Sequence, residues 1–368
     1  MVKKVVLLRG SFRTLLLYDV AEAFDLEKLR QLLGSRGSPV QAFFPRRTPD
    51  YVRFEQVPIV EPCGSLTLKT GEQVCWSMKY YPYAVAVTQL ESPFECAWDA
   101  LLPRASRWMN TADIESQMRE LVRERLNRVA AAVIRPSPDW LEDEYLVIDL
   151  QSVGQTGRER PAAAELLAAH GERIVQLMRG EATPLSPKTT EEALGASASY
   201  YPTDLVVVGA SASLVYDRPE DAAATIQILE YARTQLLEFR YYDNLMTRVL
   251  SRVYSALDRK RSVLFSRRSL PGDANQLNTI RLDVMELTEQ IDNTIKFVSD
   301  IFYARVYRLA AGRMGVPEYR ALVEQKLRTA GELYDVMVDQ FNEARTFIIE
   351  VAIAVLCLLD VILLLKGK

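Results

Sequence analysis

Histidine is nearly absent from this chain, because His170 is the single one among 368 residues. Catalysis that needs paired histidines, or a metal site of several imidazoles, is therefore excluded. The four cysteines are widely spaced and form no CxxC motif, which argues against a zinc site or a disulfide framework and is typical of a reducing compartment. The net charge of −3 creates no global field that attracts nucleic acid. We therefore expect no nucleic-acid partner.

The N-terminus shows no secretory signal. In "MVKKVVLLRGSFR" the apolar run stops after four residues, whereas a signal peptide needs an apolar stretch of about 7–15 residues. The stretch is also too short and too strand-like for a transit peptide. Together with the richness in Ala and Arg, this predicts a bacterial protein whose front part stays in the compartment where it is made.

Residues 1–218 are predicted to form a mixed α+β head domain. The segment "GSLTLKTGEQVCWSMKYYPYAVAVTQLE" alternates around a turn at Thr70-Gly71, so it predicts a hairpin. Amphipathic helices are predicted over Asp113–Ile134, where two prolines follow, and over residues 161–180. The segment "DLVVVGASASLVYD" predicts a second hairpin. The order of these elements suggests β-α-β-β-α-β.

Residues 219–346 carry no strand signal and are predicted to form an antiparallel bundle or coiled coil of long helices. Apolar residues recur every three or four positions from 226 to 257, which predicts the first helix. Pro271-Gly272 follows it as a breaker. A second helix runs to Gly312, and a third begins near Pro317 because proline is favoured in the first turn of a helix.

The third helix keeps a seven-residue apolar repeat. Its steps alternate four and three without a slip and continue into the C-terminal tail. Such a period favours helices that pack side by side in a bundle or a left-handed supercoil. We therefore predict a homo-oligomer formed through the long helices. The predicted bundle seam consists of Val323, Leu327, Tyr334, Met337, Phe341 and Ile348.

The tail from 347 to 365 is predicted to be a C-terminal transmembrane helix. Its 19 residues correspond to about 28 Å of helix at about 1.5 Å per residue, close to the bilayer core of about 30 Å. A carboxylate at the bilayer centre costs about 2.5–3.5 kcal/mol, but both acids lie towards the ends of the run. The predicted anchor residues are Phe347, Glu350, Val355, Asp360 and Leu365.

This anchor predicts a lipid bilayer as partner and a bacterial inner membrane as location, with a single C-terminal span and the bulk of the protein cytoplasmic. A basic cluster at the end of the first long helix would then lie at the membrane surface, where each base gains about 1 kcal/mol from anionic headgroups. The alternative is the core helix of a soluble oligomer, with the basic cluster as a solvated helix tip. The cluster consists of Arg259, Lys260, Arg261, Arg267 and Arg268.

Several segments resemble a known family. The segment "TDLVVVGASASLVYD" runs into "LLEFRYYDNL", and "FYARVYRLA" leads into "VEQKLRTAGELYDVMVDQFNEARTFIIEVAIAVLCLLDVI". Over Asp204–Leu365 these features resemble the required for meiotic nuclear division family, also called domain of unknown function 155. The resemblance implies a mixed N-terminal domain, long helices and a C-terminal anchor framed by two acids, here Glu350 and Asp360. It also implies membrane association without an assigned enzymatic activity.

No motif specifies a reaction, so no catalytic, cofactor or metal residue is assigned. In "LEFRYYD" Arg240 is predicted to bridge to a carboxylate on another element, with a ligand or metal site as the alternative. Acidic residues at predicted strand ends either cap those strands or bind a metal, and they are Asp149, Asp204 and Asp217.

We therefore expect a membrane-anchored, self-associating structural or interaction protein whose cytoplasmic α+β head recruits an unknown protein partner. Two alternatives stay open. One is a metal-assisted hydrolase built from strand-end aspartates such as Asp149 and Asp217. The other is an ion pathway through an oligomer of the tail, lined by Glu350 and Asp360, because carboxylates inside a membrane are functional candidates.

Overall fold

The computed structural model describes residues 6–39, 58–110, 112–154, 160–258, 279, 282, 284–285, 289 and 301–366. The chain divides into two compact units. The sheet unit comprises Met1–Tyr241 and Gln290–Pro317, and the helical unit comprises Tyr242–Glu289 and Glu318–Lys368. The domain boundaries expected at 218 and 346 stay predictions.

One mixed sheet forms the core of the sheet unit. Its strands within the described residues are β1 Leu7–Phe24, β2 Ser38–Pro39, β3 Ile59–Thr67, β4 Gln73–Tyr80, β5 Val85–Ala97, β6 Val133–Gly154, β7 Ser197–Ala198, β8 Leu205–Val208 and β9 Ala212–Tyr216. Their order across the sheet is β2-β3-β4-β5-β1-β6-β9-β8-β7. Strands β6 and β9 run parallel, whereas the other neighbours in this order are antiparallel. The mixed α+β class predicted for this region is thereby confirmed.

Local signals explain several helix ends. The side chain of Asp25 accepts a hydrogen bond from the Lys28 amide at 3.0 Å and caps α1. Ser186 caps α5 through the Thr189 amide, and Gly180 follows α4 in the left-handed conformation that favours glycine. The described helices are α1 Leu26–Leu33, α2 Trp98–Met109, α3 Ala112–Arg128, α4 Ala163–Arg179, α5 Pro187–Leu194, α6 Pro219–Asp258, α7 Ile301–Met314 and α8 Val316–Lys366.

Alternation along β1 gives the sheet two buried faces. Phe12, Leu16 and Tyr18 belong to the core of the first face, which also contains residues of α2, α3 and α4. Leu15 and Leu17 point to the second face and are fully buried as well. There α6 contacts β4 and β6 through side chains, and α7 contacts β7 and β8. Each fully buried leucine contributes about 1.5–3 kcal/mol, so helices on both faces stabilise the sheet.

The helix predicted over Asp113–Ile134 is too long. In the structure α3 ends at Arg128, and β6 begins at Val133, so that both prolines lie inside a strand. The reason is antiparallel pairing with β1, which reaches to the first residue of β6 and which local periodicity does not reveal. The expected order β-α-β-β-α-β is also wrong, because β2 to β5 all lie between α1 and α2.

Within the helical unit, α6 and α8 contact each other through a lysine. The Lys326 ammonium donates hydrogen bonds to Asp243 Oδ1 at 2.5 Å and to Thr247 Oγ1 at 2.8 Å. Val323 and Ala330, which lie on either side of Lys326 along α8, are fully buried. The described helices form no long coiled coil, so the coarser α+β description is the one that holds.

The predicted seam is described only in part. Val323 is buried and Leu327 is half-buried. The remaining seam side chains lie outside the described residues, and they are Tyr334, Met337, Phe341 and Ile348. The same holds for the whole basic cluster of Arg259, Lys260, Arg261, Arg267 and Arg268. Both sets therefore stay predictions.

The prediction of a C-terminal transmembrane anchor is wrong. Among the residues that the structure describes, no helix is long and apolar enough to cross a membrane. The tail is the end of α8, where Glu350 and Asp360 leave a stretch of nine uncharged residues between them. A span needs about 20 predominantly apolar residues. The prediction of an inner-membrane location with a single C-terminal span is therefore wrong as well. The lipid partner and the ion pathway lose their original basis and stay predictions.

The predicted anchor residues are side chains of one continuous helix. Glu350 and Val355 are exposed. The side chains outside the described part of the chain are those of Phe347, Asp360 and Leu365.

Candidate functional site

Asp149, which was predicted to lie at a strand end, lies inside β6 and forms an ion pair. Its carboxylate is fully buried on the second face of the sheet and lies 3.1 Å from the Arg13 guanidinium. Arg13 also lies 3.2 Å from Glu91 on β5. Burial raises the pKa of Asp149, and the neighbouring guanidinium opposes that rise. The pair with Arg13 balances the charge of this buried carboxylate, which favours a structural role.

The other two aspartates, which were predicted either to cap strands or to bind a metal, accept hydrogen bonds from backbone amides next to strands. Asp204 accepts hydrogen bonds from the amides of Tyr200 at 2.7 Å and Tyr201 at 2.9 Å. Asp217 accepts one from the Arg218 amide at 2.8 Å. In the described part of the chain, no three His, Cys, Asp or Glu side chains converge to hold a metal ion. The alternative of a metal-assisted hydrolase therefore gains no support from these residues.

The bridge predicted for Arg240 is confirmed. Its guanidinium lies 3.2 Å from Asp143 Oδ2 on β6. Arg233, which lies about two helical turns before Arg240 on α6, is 2.6 Å from Asp143 Oδ1 and also donates to the Ala210 carbonyl at 3.0 Å. Two arginines thus hold one nearly buried carboxylate. This arrangement ties α6 to the second face of the sheet.

A second set of buried polar contacts ties α6 to β4 and the turn that follows. Glu230 is fully buried, pairs with Lys79 and accepts a hydrogen bond from the Tyr81 hydroxyl at 2.8 Å. The hydroxyls of Tyr83 and Thr234 lie 2.8 Å apart. Burial and the Glu230 charge raise the pKa of Tyr81, so the phenol stays protonated and donates. Such paired groups fix the position of a helix on a sheet, because a lost partner leaves a costly buried charge.

Sequence reasoning did not identify this polar face of α6. Glu230, Arg233 and Thr234 lie among apolar residues and resemble the solvated side of an amphipathic helix. Their side-chain partners stand 90 or more residues away in the sequence. The sequence near Glu230 gives one indication of burial, which is a charged residue among small and apolar neighbours. It does not indicate which residue would pair with Glu230.

A cavity of about 500 Å³ lies beside the N-terminal part of α4 and contains the single histidine among its lining residues. His170 stacks on Trp98 with ring centroids 4.9 Å apart. Burial and the charge of Arg173 lower the pKa of His170, so the imidazole is neutral at pH 7. Arg160, at the same cavity, donates to the carbonyls of Gln151 at 3.1 Å and Thr203 at 3.0 Å. Both side chains thus have structural contacts, and the cavity offers no acid–base pair built from them.

A smaller cavity of about 230 Å³ on the first face is acidic. Glu142 and Asp143 line it together with Tyr18. Arg119 lies 2.6 Å from Glu142, and Asp143 is held by the two α6 arginines described above. Burial, with Glu142 nearby, raises the pKa of Tyr18. Arginines thus already balance these two carboxylates, which favours a structural explanation of the charges.

The end of α8 carries the most unusual surface of the described residues. Six apolar side chains within ten positions are 46–62% exposed, and they are Ile349, Val351, Ile353, Val355, Leu356 and Leu358. Single exposed apolar residues are ordinary, but a contiguous set marks a surface that binds something. We call residues 349–358 the exposed apolar segment. It contains Val355, which the sequence analysis had predicted to be a membrane-anchor residue.

The fold and this surface together define a class of protein. It is a mixed α+β protein with one large sheet and a long C-terminal helix that exposes an apolar segment. Residues 9–222 match the family described as "Uncharacterized protein MJ0711, N-terminal domain". Because this match covers more than half of the chain, the chain belongs to that family. The matched region runs from β1 into the first turn of α6.

One curated relative is the "Uncharacterized protein MJ0711" of Methanocaldococcus jannaschii. It is 22% identical over 192 residues, which cover 52% of this chain and 58% of that protein. No solved structure matches the chain.

The resemblance to the required for meiotic nuclear division family is wrong. The family match places the chain with the proteins related to MJ0711 and lies over residues 9–222. The resemblance had rested on Asp204–Leu365, which is mostly long helix. Apolar repeats with period three to four recur in any helix that packs along one face, so they identify a helix and not a family.

Proposed function

We propose that the chain is a self-associating interaction protein in which the exposed apolar segment of α8 binds the same helix of a second copy. The observation that carries this proposal is the exposure of six neighbouring apolar side chains between Ile349 and Leu358. Water makes such a surface costly, and a second helix with a matching stripe relieves the cost. Recruitment of a protein partner by the sheet unit is part of the same proposal.

The energy available from the segment is of the right size for reversible association. Fully burying one such side chain contributes about 1.5–3 kcal/mol, so covering the exposed half contributes about 1 kcal/mol. Covering all six side chains on each of two helices would contribute at most on the order of 10 kcal/mol, and covering three on each about 6 kcal/mol. This is comparable to the association cost of about 4–15 kcal/mol. We therefore expect an oligomer whose dissociation is measurable at ordinary protein concentrations.

The sheet unit offers an exposed aromatic pair for its proposed partner. Tyr200 and Tyr201 are each about half exposed and stack edge to face with ring centroids 4.7 Å apart. Tyr200 also contacts Phe302 of α7 at 5.7 Å. Exposed tyrosines are enriched where proteins bind one another.

The oligomeric state of the full chain tests the proposal. Sedimentation equilibrium of the wild-type protein should show an oligomer, and the double variant Val355→Asp/Leu358→Asp should be monomeric. The matched control Glu350→Gln changes an exposed residue of the same helix and should leave the mass unchanged. Circular dichroism should show equal helix content in all three proteins. A wild-type chain that remains monomeric at tens of micromolar would refute self-association.

A further inference from the structure

We infer that the two copies of α8 pair in parallel and in register, an inference that rests on the self-association proposed above. The seven-residue repeat assigns each residue of α8 to a position between a and g. Positions a and d form the seam, and their residue types in the last three repeats select the arrangement of the helices.

The seam positions of the tail carry two different kinds of side chain. With steps of three and four counted from Ile348, the a positions hold Ile348, Val355 and Ile362. The d positions hold Val351, Leu358 and Leu365. A side chain branched at Cβ in every a position, together with leucine at most d positions, favours a pair of two parallel helices. The preference comes from the way side chains at a and d enter the holes of the facing helix.

The earlier repeats of α8 lack this preference. Their a positions hold Leu327, Tyr334 and Phe341, and their d positions include Ala330 and Met337. None of these a residues is β-branched. The first part of the repeat also packs within the chain itself, since Val323 and Ala330 are fully buried. The parallel preference is thus confined to the part of the helix in which the described seam residues, Val351, Val355 and Leu358, are exposed.

The charges of the tail agree with this seam. Glu350 falls on a c position and Asp360 on an f position, and both positions face away from the partner helix in a parallel pair. Glu350 is exposed in the structure. Pairing through a and d therefore buries neither carboxylate, which avoids the desolvation cost of a buried charge. Val351, Val355 and Leu358, by contrast, are 46%, 51% and 62% exposed and free to enter the seam.

Some apolar side chains lie outside the seam. Ile349 and Leu356 fall on b positions and Ile353 on an f position. A parallel pair leaves them on its outer surface, where they are available for contact between pairs. We therefore expect the parallel pair to be the unit from which any larger assembly forms.

Disulfide formation between single cysteines tests the arrangement. In the full chain, the native cysteines are first replaced by alanine at Cys63, Cys75, Cys96 and Cys357. One cysteine is then introduced, as Val351→Cys or Leu358→Cys at d positions, or as Ile353→Cys at an f position as the matched control. A disulfide needs Cα atoms within about 7 Å. A parallel pair in register brings identical d positions within that reach and holds f positions apart.

The expected result is a rapid disulfide-linked dimer from Val351→Cys and from Leu358→Cys under mild oxidation, and at least tenfold slower linkage from Ile353→Cys. Equal linkage at all three positions would overturn the inference, as would linkage that appears only when two different single-cysteine variants are mixed. The second result would indicate antiparallel pairing and leave self-association standing. Sedimentation of the Ile353→Cys variant, whose seam is intact, as a monomer before oxidation would instead refute the proposed function itself.

Discussion

The two halves of α8 use one apolar repeat in opposite ways. In the first half, Val323 and Ala330 are fully buried inside the chain, and Lys326 pairs with Asp243 at 2.5 Å. In the second half, Leu358 and its neighbours stay about half exposed. A seven-residue repeat specifies that a helix packs against another helix. Whether the partner comes from the same chain depends on which other helices reach it.

The largest effect is expected from a charge in the first half of α8. Val323→Asp places a carboxylate at a fully buried position, and an uncompensated buried charge costs about 3–5 kcal/mol. The free energy of unfolding, measured by urea titration of the circular dichroism signal, should fall by that amount. The control Leu322→Asp alters an exposed neighbour and should change it by less than about 0.5 kcal/mol. Equal losses in both variants would contradict the packing of the first half.

A pH titration should separate the folding of the sheet unit from the association of α8. Burial raises the pKa of the Asp19 carboxyl from 3.8 to about 7. Between about pH 4 and pH 7 the folded chain then holds a proton that the unfolded chain has released. Stability therefore falls as pH rises through this window, by up to about 1.4 kcal/mol per pH unit.

Asp19→Asn should reduce this slope in urea titrations carried out across the window. The dissociation constant of the oligomer depends on apolar side chains, so it should show no matching slope. If the slope of the free energy of unfolding were the same in Asp19→Asn as in the wild type, the raised pKa of this carboxyl would be disproved.

Shortening one exposed side chain in the second half of α8 should weaken association without changing the stability of the monomer. Leu358 is 62% exposed, so Leu358→Ala should leave the stability of the monomer within about 0.5 kcal/mol of wild type. Loss of its contacts across the seam should weaken association by about 1–2 kcal/mol, or about tenfold in the dissociation constant. Sedimentation equilibrium measures this constant. An unchanged constant would place the seam elsewhere on the helix.

The smallest effect on the free energy of unfolding is expected from the ion pair between Lys326, in the first half of α8, and Asp243. Lys326 and Asp243 are both partly exposed, so their pairing energy should be about 1 kcal/mol or less. A double-mutant cycle with Lys326→Ala and Asp243→Asn isolates that energy from the individual substitutions. The association constant should be the same in all variants of the cycle. A shift in that constant would mean that the two halves of α8 are coupled.

Features with a local cause could be predicted from the sequence. The hairpin between β3 and β4 forms at the expected turn, where Gly71 adopts a φ of 84° that favours glycine. The second predicted helix ends at Gly180 for the same reason. The bridge from Arg240 was expected because an arginine on a long helix packed against other elements needs an acceptor nearby. In each case the residues that decide the outcome lie within a few positions, or the residue type leaves few choices.

Features with a distant cause could not be predicted in this way. Pro136 follows an amphipathic helix in the sequence, yet it pairs with Ala21 in the sheet. Glu230 is buried because Lys79 and Tyr81 surround it, and no signal near Glu230 indicates either partner. The prediction of a membrane anchor was wrong because it gave more importance to the length of the apolar run than to the two acids, Glu350 and Asp360, that divide it.

The amino-acid sequence by itself determined the α+β class of the head, its hairpins and the period of the long helices, since these follow from alternation, turn residues and spacing along the chain. Only the tertiary structure decided which polar residues of α6 are buried and which part of the α8 stripe is left exposed. Burial is a relation between segments far apart in the chain, and its energy depends on what covers a side chain as much as on the side chain itself.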